Sequence, residues 1–273
     1  MSTGASPRAM SGGSGVLASV PIPAGGAPWL LRPQAGSPSV ARLFCFPFAG
    51  GGAASYVQWA RGLPAGLELC AVQLPGRESR LGEPARVQFF PLINELADAL
   101  APWLIPPFAF FGHSMGALLA FELARELRRR ERPLPERLLL SGRQAPTQVD
   151  DAEPMHQLDD PEFVARLSER YDGIPDAVRN DADFLRLFLP TMRADFELLT
   201  TYVYRPELPL PCPFSIYCGR HDPQVRGEAL QDWRWQTTGG FEIRWLEGGH
   251  FYYQPDRKPL LGALAEDLRP LIT

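Results

Sequence analysis

Five residues, Gly112-His113-Ser114-Met115-Gly116, constrain this chain more than any other stretch, because of what flanks them. Phe108-Ala109-Phe110-Phe111 comes before and reads as a short buried strand. Ala117 to Leu127 comes after, with good helix formers and an apolar face. A G-x-S-x-G between strand and helix predicts a sharp turn. Glycine lets the backbone bend without a side-chain clash, so the serine hydroxyl projects above the sheet. The pentapeptide alone occurs by chance in glycine-rich chains; its position between these two elements gives it meaning.

Strand and helix patterns alternate around that turn. Strands are expected at Arg42 to Phe46, Leu67 to Leu74, Arg137 to Leu140, Pro213 to Cys218 and Phe241 to Leu246. Helices are expected at Ser55 to Leu63, at Val87 to Trp103 and from Lys258 onward. Short apolar strands separated by helices predict an α/β fold, a mostly parallel sheet with helices on both faces. Ligands in such sheets sit beyond the carboxyl ends of the strands.

Two regions depart from the alternation. Residues 1 to about 38 are rich in Gly, Ser, Ala and Pro and are expected to form a flexible tail ahead of a 39–273 domain. Residues 150–206 are too long for a simple connection and carry helical patterns of their own. Asp160 is the expected cap of one helix, with Pro161 in its first turn; a second runs from Asp183 to Tyr204 and contains Pro190. The apolar load of that second run, with Phe184, Phe188 and Phe196 foremost, exceeds what one packing face needs. A lid over an apolar channel is expected there, with added core packing as the alternative.

Composition narrows the field. With 45% hydrophobic and 21% charged residues the chain is that of a globular enzyme. The net charge is −4 and the one arginine run, Arg128-Arg129-Arg130, closes a helix where cations complement the dipole; no nucleic-acid partner is expected. The uncharged stretch between Asp98 and Glu122 is broken by Pro102, Pro106, Pro107 and Gly112, which argues against a membrane span. Cys45, Cys70, Cys212 and Cys218 have no metal-ligand spacing and fit reduced core thiols in a cytoplasmic protein. A monomer is expected.

A serine hydroxyl needs a base within hydrogen-bond reach to act as a nucleophile at neutral pH. His250, in Gly248-Gly249-His250-Phe251-Tyr252, follows the last expected strand and is the best-placed imidazole. His113 is committed to the turn, His156 lies in the inserted segment, and His221 adjoins a better-placed acid. That acid is Asp222, in Gly219-Arg220-His221-Asp222-Pro223, with Asp150 and Asp151 as rivals. The order Ser114, Asp222, His250 is the chain order of α/β hydrolases. A developing oxyanion needs two backbone N–H donors: Met115 after the nucleophile, and Ala49, or alternatively Phe48, in Phe48-Ala49-Gly50-Gly51. Losing one such donor costs ~2.7–4 kcal/mol of transition-state stabilisation. The glycines of that loop lack the spacing of a phosphate-binding loop.

Several motifs in order carry a family resemblance from about residue 40 to the C-terminus. They are Phe46-Pro47-Phe48-Ala49-Gly50-Gly51, Gln73-Leu74-Pro75-Gly76-Arg77-Glu78, the G-H-S-M-G turn, Tyr171-Asp172-Gly173-Ile174-Pro175, Leu189 to Glu197, and Gly249-His250-Phe251. Together they resemble the type II thioesterases of polyketide and nonribosomal peptide pathways. The resemblance implies a stand-alone α/β hydrolase that removes acyl groups from the phosphopantetheine arm of carrier proteins, without cofactor or metal. It carries Ser114, Asp222 and His250 to the catalytic positions and Ala49 and Met115 to the oxyanion positions. Phe48 stands where many relatives have His, so no polar role is expected of that side chain. Medium-chain fatty acyl thioesterases share these motifs and are the alternative.

Overall fold

The structure is a computed structural model that describes residues 29–148, 154–170 and 182–273, without the side chains of Ala182 and Phe184. Seven strands form one sheet: β1 Leu30–Leu31, β2 Ala41–Phe46, β3 Leu67–Val72, β4 Phe108–His113, β5 Arg137–Ser141, β6 Phe214–Gly219 and β7 Phe241–Leu246. Their spatial order is β1-β3-β2-β4-β5-β6-β7. Only β1 runs antiparallel to its neighbour; the other five pairings are parallel.

Alternation along the buried strands explains the layers. Phe44 and Phe46 point to one face of the sheet, Leu43 and Cys45 to the other. The first face packs on α2 (Phe89–Leu100) and α3 (Met115–Arg129), through residues such as Leu96, Leu118 and Phe121. The second packs on the short α1 (Ala54–Val57) and on the C-terminal helix Lys258–Leu268, through Tyr56, Leu260 and Leu264. The α/β reading therefore holds, with a sheet covered on both sides. All four cysteines are buried and unpaired, and burial pushes Cys70, Cys212 and Cys218 up to about 12, which makes them poor nucleophiles.

Three expectations are corrected. The tail does not reach residue 38: Leu30–Leu31 pairs with β3, Arg80 lies over the Trp29 ring, and Arg32 joins buried Glu68. Residues 1–28 lie outside the described residues. The helix expected from Ser55 to Leu63 is one α-turn followed by a 3-10 turn, Gln58–Arg61, which ends at Gly62. The cap of α4 (Asp160–Arg170) is Asp159, whose carboxylate accepts the Glu162 N–H at 2.9 Å; Asp160 is already inside the helix.

Helix α4 and α5 (Ala182–Thr200, with Pro190 inside) belong to the long inserted segment. They enclose a small apolar cluster of their own around Phe163, Val164, Leu167, Leu189 and Phe196. The C-terminal end of α5 serves the main core: Leu198 is fully buried there, with Leu199 and Tyr202 against it.

The turn from β4 into α3 depends on backbone contacts that exclude side chains. A Cβ on Gly112 would lie 2.0 Å from the Gly116 carbonyl oxygen, and one on Gly116 would lie 2.2 Å from that of Phe46. Gly116→Ala is expected to cost about 3 kcal/mol, a fall of roughly 6–12 °C in Tm for a domain of this size. Differential scanning calorimetry of the two proteins checks it.

Candidate active site

Ser114 occupies the apex of that turn in a conformation few L-residues adopt, φ 54° and ψ −115°. Such strain costs of order 1–3 kcal/mol and persists only where the surroundings impose it. Here the Ser114 N–H donates to the Ser141 carbonyl at 2.8 Å, and both flanking glycines are locked by backbone neighbours. Ser114 is left at 9% exposure, at the N-terminus of α3, where the helix dipole favours negative charge.

Asp222 and His250 come from the loops after β6 and β7. Those loops touch at Gly219, where a Cβ would lie 2.1 Å from the Gly249 carbonyl oxygen. The His221 N–H also donates to the Gly248 carbonyl at 3.0 Å. This approach brings Asp222 Oδ2 to 2.8 Å from His250 Nδ1. The other carboxylate oxygen accepts the Gln224 N–H at 2.8 Å, so the carboxylate is held on both sides. Both side chains are buried. A carboxylate on Nδ1 orients an imidazole to exchange protons through Nε2. The rivals Asp150 and Asp151 lie outside the described residues.

A cavity of about 930 Å³ brings several of the expected residues together. Ser114, His250, Ala49, Phe188 and Phe196 all line it. Its apolar wall on α5 is a helical stripe, Phe188, Met192, Phe196 and Leu199. The apolar load of this helix is thus divided between cavity wall and core. Phe48 lines the cavity too, with its ring edge-on to Phe251 at 4.9 Å, so it supplies apolar wall. The Phe184 side chain lies outside the described residues.

Met115 follows Ser114 as the first residue of α3, and its side chain is fully buried. In the loop after β2, two of the amides are already committed. Gly50 N–H donates to Asp195 Oδ2 at 2.7 Å, and Gly51 N–H to the Phe48 carbonyl at 2.9 Å. That leaves Phe48 and Ala49 as the loop's candidate oxyanion donors. Among the described residues no group of His, Cys, Asp and Glu could hold a metal ion.

Two features escaped the sequence reasoning. The sequence commits His113 to the turn, yet its ring packs on His250 at 4.7 Å between centroids. Its Nδ1 meets Ser141 Oγ at 2.9 Å, and that hydroxyl meets Tyr252 OH at 2.8 Å. The second is a buried ion pair between Arg77 and Asp195, 118 residues apart in the chain. Both residues sit in motifs that carry the family resemblance, which was the only signal for them.

The family model described as "Thioesterase domain" matches residues 41–270. The chain belongs to the thioesterase family. This thioesterase is 35% identical over 241 residues to the gramicidin S biosynthesis protein GrsT of Aneurinibacillus migulanus, covering 88% of this chain and 94% of that one. The solved RedJ thioesterase from the prodiginine pathway of Streptomyces coelicolor superposes with a TM-score of 0.80 at 37% identity, covering 91% of each chain. The type II thioesterase BorB from the borrelidin cluster gives 0.78 at 36%, covering 88% of this chain and 96% of its own. Likeness to the medium-chain S-acyl fatty acid synthase thioesterase of Rattus norvegicus is weaker, 31% over 228 residues, 81% and 84% of the two chains.

Two outcomes are expected of the thioesterase site. Burial, and secondarily the charge of His250, hold the His113 imidazole well below the usual histidine range. The unfolded chain therefore binds more protons than the fold below about pH 6.5, and stability present above that pH is lost as the pH falls. His113→Gln removes this contribution, so its Tm should fall less than that of wild type between about pH 7 and about pH 5; thermal melts across that range read it. Asp222→Asn should lower kcat by on the order of 10⁴-fold without loss of the fold, because the imidazole loses its orienting partner. Steady-state kinetics with circular dichroism checks both halves.

Proposed function

We propose that this thioesterase is a stand-alone type II editing enzyme. It hydrolyses acyl groups held as thioesters on the phosphopantetheine arm of acyl or peptidyl carrier proteins in a polyketide or nonribosomal peptide pathway. The observation that carries this is that Ser114 and His250 line one largely apolar cavity of about 930 Å³, with Asp222 bonded behind the imidazole. A cavity of that size lies within the range of small-molecule sites.

The cycle uses the chain's own groups. His250 takes the Ser114 proton as the hydroxyl attacks the thioester carbonyl. The N–H groups of Met115 and Ala49 hold the oxyanion that forms. The carbonyl re-forms, the carbon–sulfur bond breaks, and the carrier-bound thiolate leaves and takes up the proton. A thiol of pKa near ~8.5 needs little help to depart. Water then attacks the acyl-enzyme, giving its proton to His250, and release of the free acid returns the serine hydroxyl. The wall formed by Phe188, Met192, Phe196 and Leu199 receives the acyl chain. Four buried, unpaired thiols suit a reducing compartment, so a cytoplasmic location is included in the proposal.

The greater likeness to GrsT, RedJ and BorB favours editing over fatty-acid chain termination. A set of carrier proteins loaded with acetyl, propionyl, hexanoyl and decanoyl groups separates the two. The expected result is release across the short acyl groups, and loss of at least about 10³-fold in Ser114→Ala. A sharp optimum at decanoyl, with acetyl and propionyl untouched, would instead mark a chain-terminating fatty acyl thioesterase.

A further inference from the structure

The loop that presents Ala49 is short, glycine-rich and follows a strand end, so its own sequence does little to fix its peptide planes. What fixes them reaches in from α5. Asp195, 1% exposed, accepts the Gly50 N–H on Oδ2 at 2.7 Å. Arg77 grips the same carboxylate with both terminal nitrogens at 2.7 Å, and donates from Nη1 to the Gly51 carbonyl at 2.9 Å. One buried ion pair thus holds the Ala49–Gly50 peptide through its N–H and the Gly51–Gly52 peptide through its carbonyl.

That grip bears directly on Ala49. The Gly50 N–H and the Ala49 carbonyl belong to one rigid plane, so fixing the first fixes the second. Only the two backbone torsions of Ala49 then separate this plane from the Ala49 N–H. Gly50 itself has φ +76°, a region where it supplies no restraint of its own. The same helix also closes the loop from the cavity side: a Cβ on Gly50 would lie 2.4 Å from Met192 Cε and 2.9 Å from Phe188 Cζ. One turn before Asp195, Thr191 Oγ1 donates to the Gly76 carbonyl at 2.6 Å, which anchors the helix beside Arg77.

We propose that Asp195, held by Arg77, is a positioning residue that sets the orientation of the oxyanion-binding peptide of Ala49 from the helix roofing the acyl cavity. The assignment rests on the thioester chemistry proposed above. Its alternative is a purely architectural rivet between α5 and the loops after β2 and β3. The two differ in what they predict for catalysis, because a buried ion pair can often be replaced by apolar residues without loss of stability.

Two variants test it: the isosteric Asp195→Asn, which forces a donor–donor contact with Gly50 or Arg77, and the apolar double replacement Arg77→Met with Asp195→Leu. Each is compared with wild type by melting temperature, by kcat and KM per titrated active site on a hexanoyl pantetheine thioester, and by inhibition with hexylboronic acid. The tetrahedral boronate fills the oxyanion position. The expected result is folded protein with kcat lowered about 100-fold, KM within about threefold of wild type, and boronate affinity lowered in parallel with kcat. Folded variants with unchanged kcat and boronate affinity, or with a defect confined to KM, overturn the role of Asp195. Asp195→Asn alone decides if the double variant does not fold. Wild-type protein that leaves the thioester intact would instead overturn the underlying chemistry.

Discussion

Where β4 turns into α3, backbone atoms from three segments meet at distances that leave no room for a Cβ. Gly112 faces the Gly116 carbonyl, and Gly116 faces that of Phe46. This contact forces Ser114 into its strained conformation and stands the end of β2 beside the start of α3. The serine hydroxyl, the first amide of the helix and the loop after β2 are thereby fixed relative to one another. A second close approach of the same kind, Gly219 against Gly249, joins the loops after β6 and β7 and brings Asp222 to His250. The candidate site is assembled by backbone packing, with side chains added to a frame that glycine makes possible.

Much of this was legible in the sequence because it is written in local patterns. Short apolar strands, the helix after the turn and the glycines around Ser114 each specify their own segment. The parallel sheet then puts the loops after β2, β4, β6 and β7 at one edge, so His250 and Asp222 could be chosen from chain order alone. Failures came where one segment's structure is set by another. Leu30 and Leu31 look like the end of a polar tail until β3 offers them an edge. Asp159 and Asp160 are chemically alike, and only the helix start distinguishes the cap. No periodicity announces that Arg77 and Asp195 meet, since neither lies on an element whose pattern implies the other.

The inserted helices show how one segment carries two jobs. Along α5, Leu198 completes the main core, Phe188, Met192 and Phe196 wall the cavity, and Thr191 and Asp195 bind the loops below. The apolar residues of this helix thus serve both the cavity and the main core. Met192 and Phe188 also leave no room for a side chain on Gly50, so the cavity wall on α5 and the loop after β2 adjoin there.

The central claim is that Ser114, His250 and the amides of Met115 and Ala49 act on one carbonyl carbon. A crystal structure of the protein after reaction with an alkyl fluorophosphonate tests it most directly. The account predicts a phosphorus–oxygen bond to Ser114 Oγ, with the phosphoryl oxygen about 2.7–3.1 Å from both amide nitrogens and the alkyl chain lying along Phe188 and Met192. A phosphoryl oxygen turned away from both amides, or a phosphonyl group on any residue other than Ser114, would contradict it.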